Sequence, residues 1–284
     1  MSALDAVGAA SRPARGVALI AVLWIVAALA VLVTGVVQAQ RSELRLAGVA
    51  RAGLVGEAAG QAAIHLVLQR MAGGGARVDR LTRTGVDYDG RTIAVEVMPM
   101  TGLVDLNQAA APLLAALLQR VGGLDEPQAR TLADTLVARR AAGADALLDA
   151  PEELLSLPGV DYDLFVRLAP FVTTGSRGGG RVNALAAPYD MLLFLAGGNA
   201  AVAQRIADDR DAGVAAIDTT RLEGAFIDAT VSSRYRITAR VPLPDGAQVL
   251  AVRDVDLAAA AGQAAPWQTL RASTRWVAAA RDGG

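Results

Sequence analysis

From Val17 to Val37 the chain reads VALIAVLWIVAALAVLVTGVV, twenty-one residues without a charge. About 20 such residues are needed to cross a hydrocarbon core as a helix, so the length predicts a transmembrane segment over 17–37. Arg12 and Arg15 lie just ahead of it. The positive-inside rule then keeps residues 1–16 cytoplasmic and sends the rest of the chain outward. A cleaved secretory signal would have a shorter apolar core closed by a small-residue site such as A-x-A. Here the run continues unbroken into residues 38–71, so the span is expected to be retained. A plain membrane anchor with a stalk is the competing interpretation on hydropathy alone.

The helical pattern carries on beyond Val37. Ala47, Ala50, Leu54, Ala58, Ala62 and Leu66 recur at spacings of three and four, interleaved with Arg41, Glu43, Arg45, Arg51 and Glu57, which predicts one helix of more than fifty residues. Gly48, Gly53, Gly56 and Gly60 interrupt its outer half. Each costs about 0.5–1 kcal/mol relative to alanine inside a helix, so close packing is expected to compensate.

Gly73-Gly74-Gly75 ends this helix. Val86 to Met98 follows as a hairpin turning at Asp89-Gly90, with Ile93, Val95 and Val97 on one face. Far downstream, Tyr235, Ile237, Ala239 and Val241 alternate with Arg234, Arg236 and Arg240. Pro244-Asp245-Gly246 turns the chain, Gln248 to Asp254 returns, and a last strand is predicted from Trp267 to Ser273. Between these β pieces the period is helical: 112–121, 126–142, 151–157, 162–171, 188–196 and 200–211. The predicted fold class is α+β, a long N-terminal helix on a small antiparallel sheet, with a large all-α domain inserted between strands. The segments are a leader at 1–16, the span at 17–37, the outer helix and first strands at 38–101, the insert at 102–228 and the remaining strands at 229–284.

The insert carries a weak internal repeat. Gly102-Leu-Val-Asp105 matches Gly180-Arg-Val-Asn183, Ala111-Pro112 matches Ala187-Pro188, Gly122-Gly123 matches Gly197-Gly198, and Ala133-Asp134 matches Ala207-Asp208. Two related helix-turn-helix units are the simplest explanation, each with a short extended opening, a proline in the first turn and a Gly-Gly break. Chance similarity in an Ala- and Leu-rich chain is the alternative.

Several chemistries are excluded by composition. The chain has no cysteine, every basic residue is arginine, and His65 is the single histidine. A disulfide framework, a thiolate metal site, a P-loop or Schiff-base lysine and a multi-histidine zinc site are therefore ruled out. Paired acids occur at Asp87/Asp89, Asp161/Asp163, Asp208/Asp209/Asp211 and Asp254/Asp256, none with EF-hand spacing. A turn explains Asp89, a helix N-cap explains Asp161, and a solvated helix end explains the Asp208 cluster. His65 sits among Ile64, Leu66 and Val67 without an acid or serine constellation, as a packed or interfacial residue would. No active site emerges, and a non-enzymatic protein is expected.

At Arg15-Gly16, followed by Val17-Ala-Leu-Ile, the chain resembles a prepilin: a short basic leader ending in glycine ahead of an intact apolar helix. The G-x-x-[DN]-x-N segment at Gly102 to Asn107 and the V-N-x-x-x-A-P segment at Val182 to Pro188 narrow the resemblance to the K-type minor pseudopilins of type II secretion. Two departures from most pilins are Val17 where phenylalanine is usual and Ala21 where glutamate is usual, and the second is a habit of the K type. The resemblance implies cleavage between Gly16 and Val17 by a prepilin peptidase, N-methylation of Val17, and packing of the helix around Ala21 in a filament. It also implies an inner-membrane protein with a periplasmic head, partnered by the I- and J-type minor pseudopilins, that helps initiate or cap the pseudopilus for export of folded proteins. Some family members hold calcium in the sheet domain, so calcium is the one cofactor implied, and no ligands are assigned to it. A K-like minor pilin of a type IV pilus is the close alternative.

The distant alternative is a membrane-tethered DNA receptor. Leu155-Ser-Leu157-Pro158-Gly159-Val160 resembles the first half of a helix-hairpin-helix, whose backbone N–H groups meet a phosphate. Charge opposes it. Residues 102–228 hold 17 acids and 10 arginines, a net of −7, whereas phosphate binding calls for basic clusters, so no nucleic acid is expected among the partners.

Overall fold

The computed structural model describes residues 15–74, 77–244, 246–258 and 266–278, with side chains 15–21, 31 and 33–47 outside the description. The chain divides into two compact units, Met1–Leu54 and Val55–Gly284.

Helix α1 runs from Arg15 to Ala72, 58 residues. In the first unit the described side chains Val22 to Ala30 and Leu32 are exposed, with Trp24 at 73% and Leu23 at 69%. The predicted span at 17–37 thus has a helical backbone, but most of its side chains, like the leader at 1–14, lie outside the described residues. Among the described residues no helix is long and apolar enough to cross a membrane.

The second unit is built around a five-stranded antiparallel sheet of order β1-β2-β7-β8-β9. Its strands are β1 (Thr82–Tyr88), β2 (Arg91–Pro99), β7 (Arg234–Pro242), β8 (Gln248–Asp256) and β9 (Gln268–Val277). The first hairpin turns at Asp89 and Gly90, both with positive φ (50° and 70°), the conformation a two-residue primed turn requires. Ile93, Val95, Val97, Tyr235, Ile237, Ala239, Val241, Val249, Ala251 and Val255 share one buried face. Against it α1 lays Ala59, Ala63, Ile64, Val67 and Leu68. Gly56 and Gly60 permit the approach: a Cβ on Gly60 would lie 3.0 Å from Ala251 and 3.4 Å from Val241, and one on Gly56 would meet Leu243 at 2.9 Å. The helix penalty of these two glycines is thus offset by contact with the sheet, whereas a Cβ on Gly48 would meet nothing within 4 Å.

Between β2 and β7 lies the insert. It comprises β3 (Val104–Asp105), α2 (Ala111–Arg120), α3 (Glu126–Ala141), α4 (Tyr162–Leu168), β4 (Val172–Thr173), β5 (Val182–Asn183), α5 (Tyr189–Leu195), α6 (Ala200–Asp211) and β6 (Ile227–Asp228). The expectation of an all-α insert is corrected here, because β3 pairs with β4 and β5 with β6, both parallel. Two-residue strands have no periodicity to read. Residues 151–156 form a 3-10 segment instead of an α-helix. Three predicted edges also move. Helix α4 stops at Leu168 with Pro170 two residues beyond, β1 begins four residues before Val86, and β9 continues to Val277.

The repeat survives in three dimensions as two units, each a pair of helices opened and closed by paired short strands, the first with α4 added ahead of its closing strand. Its two copies meet reciprocally: a Cβ on Gly102 would lie 2.2 Å from the carbonyl oxygen of Ala186, and one on Gly180 would lie 2.5 Å from that of Gln108. Both members of the two contacts are related by the same offset of 78 positions. Each second helix also sends an arginine back to its own opening turn. Arg140 Nη2 donates to the Ala109 carbonyl and Arg210 Nη1 to the Ala187 carbonyl, both at 2.6 Å. Asp125 and Asn199 cap α3 and α6, accepting from Gln128 N and Val202 N. Leucines dominate the shared core, among them Leu114, Leu117, Leu164, Leu168, Leu192 and Leu195. Each is worth about 1.5–3 kcal/mol when fully buried.

Candidate functional site

Two carboxylates of the described head are deeply buried on β8, and both are held by arginines of β7. Asp254 and Asp256 stand opposite Arg236 and Arg234 in the β7–β8 register. Arg236 grips Asp254 with two parallel bonds, Nε to Oδ1 at 2.8 Å and Nη2 to Oδ2 at 2.9 Å, the fork geometry that suits guanidinium to carboxylate. Burial works against the Arg236 charge, yet the Asp254 hydrogen bonds and charge outweigh it and hold its pKa above the usual arginine value. Asp256 is only 3% exposed. It accepts from Ser233 Oγ, Arg234 Nε and the Ala258 backbone, and Arg177 Nη2 lies 3.2 Å away. Burial pushes its pKa up, but the hydrogen bonds and the two arginines prevail and leave it below the ordinary carboxylate range.

This cluster fastens the insert to the sheet. Arg234 Nη1 also donates to the Gly175 carbonyl, Ser232 Oγ to the Ser176 carbonyl, and Ser176 N to the buried Asp105 at 2.6 Å. Arg177 takes a left-handed backbone (φ 57°) in the glycine-rich link between the two repeats, a conformation that costs a non-glycine residue energy and is held here by its ion pair with Asp256. The second repeat is fixed at the equivalent place by Asn183, whose Nδ2 donates to the carbonyls of Asp79 and Thr230.

The sequence missed this cluster although its signal was present. The turn at 244–246 and both paired residues on each strand were legible, and counting back from the turn would have set Arg234 and Arg236 opposite Asp256 and Asp254. Arg177, Ser176 and Ser232 lie in loops and had no such signal.

Four of the other candidate acids have structural partners. Asp87 accepts from Thr92 Oγ1 at 2.6 Å, Asp161 caps α4 through Leu164 N at 2.7 Å, and Asp208 accepts from Gln204 Nε2. Asp211 pairs with Arg83 and Arg210. No group of three or more His, Asp or Glu side chains fit to hold a metal is present among the described residues. His65 is exposed on α1, its ring edge-on to Trp267 at 5.1 Å. At the helix-hairpin-helix-like turn, Gly159 has φ 86° and Val160 N is spent on the Leu157 carbonyl. Gly16, Val17 and Ala21 fall in the helical backbone, and their side chains are outside the described residues.

No protein-family model matches the chain, and no curated protein does. The structure is similar to one chain of the crystal structure of the GspK-GspI-GspJ complex from the enterotoxigenic Escherichia coli type 2 secretion system. That alignment has a TM-score of 0.43 at 16% sequence identity and covers 83% of this chain and 97% of the other.

Proposed function

We propose that this protein is a K-type minor pseudopilin, a non-enzymatic subunit at the tip of a type II secretion pseudopilus. The observation that carries the proposal is the order of parts: an arginine leader ending at Gly16, one continuous helix that is apolar and uncharged over 17–37, and a sheet whose strands are interrupted by a large helical insert. The leader is removed between Gly16 and Val17 by a prepilin peptidase, and Val17 is methylated. The helix holds the protein in the inner membrane before assembly, with the head in the periplasm. The I- and J-type minor pseudopilins are its neighbours, and the assembled tip initiates or caps the filament that moves folded proteins across the outer membrane.

Ala21 supports the tip position. A glutamate at that place in other pilins is expected to pair with the N-terminal amine of the next subunit toward the tip. At the tip that amine is missing, and an ionised side chain among apolar helices would cost about 2.5–3.5 kcal/mol. The insert, 102–228, also favours an end position, since so large a head is hard to repeat around a tightly wound shaft.

Because the chain has no native cysteine, single introduced cysteines report its neighbours without ambiguity. Ala21→Glu is expected to leave assembly unimproved and cross-links confined to the filament end. Cross-links to the major subunit at many positions along the shaft would defeat the tip assignment. The type IV pilus alternative keeps the same chemistry and differs in which sister subunits are captured. The DNA-receptor alternative requires salt-sensitive binding of duplex DNA by a head whose insert carries a net charge of −7.

A further inference from the structure

We propose that the outer edge of β9 is a docking site for an extended acidic segment of a partner protein, which adds to the sheet as a new edge strand. The two edges of the sheet are built differently. On β1 there are seven residues, a glycine at its centre (Gly85), a buried Val86, and an ion pair from Arg83 across to Asp211 of the insert. Short length, glycine and paired charge are means by which natural sheets close an edge. β9 has ten residues, contains neither glycine nor proline, and is exposed at every position except Thr274. Past one irregularity near Leu270, Arg271 to Val277 pair in regular register with β8, and among the described residues no strand pairs with the other side.

The side chains specify what would pair there. Thr274 Oγ1 donates to Glu57 of α1, so Ala272, Thr274 and the half-exposed Trp276 share the helix side of the sheet, and Arg271, Ser273 and Arg275 share the opposite side. β9 carries no acid. Arg275 makes no ion pair among the described residues. Arg271 meets Glu152 with both side chains about half exposed (49% and 45%), a pair weak enough to exchange. A second copy of the chain fits poorly. In antiparallel self-pairing centred on Ser273, Arg271 would face the second copy's Arg275, and moving the centre one residue either way still sets arginines diagonally across the joint, where like charges repel. A strand with acids on the arginine side and apolar residues beside Ala272 and Trp276 meets both faces. The site uses only β9 and its neighbours and stands apart from the filament assignment.

The test uses the full chain in dodecyl maltoside micelles and a labelled peptide of five Val-Glu repeats. The expected result is saturable, salt-weakened binding with slowed hydrogen exchange confined to residues 268–277. The same peptide N-methylated at alternate residues cannot pair through its main chain and should lose binding. Arg275→Glu, on an exposed site, should weaken the Val-Glu peptide at least about fivefold and admit a Val-Lys peptide that the parent chain rejects. The proposal is overturned by no saturable binding, by equal binding of the N-methylated or Val-Lys peptide, by protection elsewhere in the head, or by β9 protection that rises with protein concentration in the absence of peptide.

Discussion

The first described turns of α1 and the head solve the burial of apolar side chains in opposite ways. From Val22 to Leu32 every described side chain is exposed, with Val, Leu, Ile and Trp between 56% and 73%. In the head, Ile64, Leu68, Ile93, Ile237 and Val249 are fully covered by the chain itself. Large apolar side chains left open along a whole helix circumference have a cost in water that only another solvent or other helices can remove. The contrast teaches that the described apolar side chains of the first unit's helix stay exposed, while those of the second unit's helix are covered by its own sheet.

A substitution that separates the two regions should therefore affect one and spare the other. Leu29→Arg places a charge amid the apolar stretch and is expected to cost about 2.5–3.5 kcal/mol of membrane insertion. Urea unfolding of the head should not move. Loss of head stability with unchanged membrane retention would break the comparison. Next in size is Gly102→Ala, whose new Cβ would meet the Ala186 carbonyl oxygen at 2.2 Å. Because backbone must shift to admit it, about 1–3 kcal/mol of head stability should be lost, with membrane insertion intact.

A smaller, pH-dependent effect comes from the seam between insert and sheet. Asp256 has its pKa lowered in the folded head, with burial opposed and overcome by its hydrogen bonds and arginines. A depressed carboxylate contributes stability above its unfolded pKa and loses it as pH falls through the folded value. Acid titration of the parent should thus show a loss of head stability at low pH that Asp256→Asn lacks. An identical pH profile for both would remove Asp256 from that role. The smallest effect is predicted for Gly48→Ala, where nothing lies within 4 Å of the new Cβ. Without a packing cost, the helix should gain about 0.5–1 kcal/mol, the opposite sign to Gly60→Ala, whose Cβ would press on Ala251 at 3.0 Å.

How much of this was legible follows from what leaves a period in the sequence. The long helix, the hairpin at Asp89-Gly90 and the alternation of Tyr235 to Val241 were readable because each repeats over several residues, and four helices of the insert were found within a residue of their ends. The glycines on α1 foretold close packing, and the structure supplies it at Gly56 and Gly60. What escaped is local and short. The parallel pairs β3–β4 and β5–β6 are two residues each, so no pattern could announce them, and the 3-10 segment at 151–156 has a helix-like composition with Pro151 at its start. The acidic pairs were read as structural; Arg234 and Arg236 could have been paired with Asp256 and Asp254 from the turn between their strands, whereas Arg83 lies far along the chain from Asp211. The processing residues Gly16 and Val17 rest on sequence alone.

Those two residues carry the central claim, that the exposed apolar helix belongs to a processed filament subunit. The direct measurement is an intact-mass and N-terminal spectrum of the protein purified from membranes, beside Gly16→Val. The account predicts a parent chain that begins at Val17, carries one N-methyl group and retains the whole apolar segment, and a variant that stays full length in the membrane. A parent chain that begins at Met1, or one that begins within the head after loss of 17–37, would contradict it.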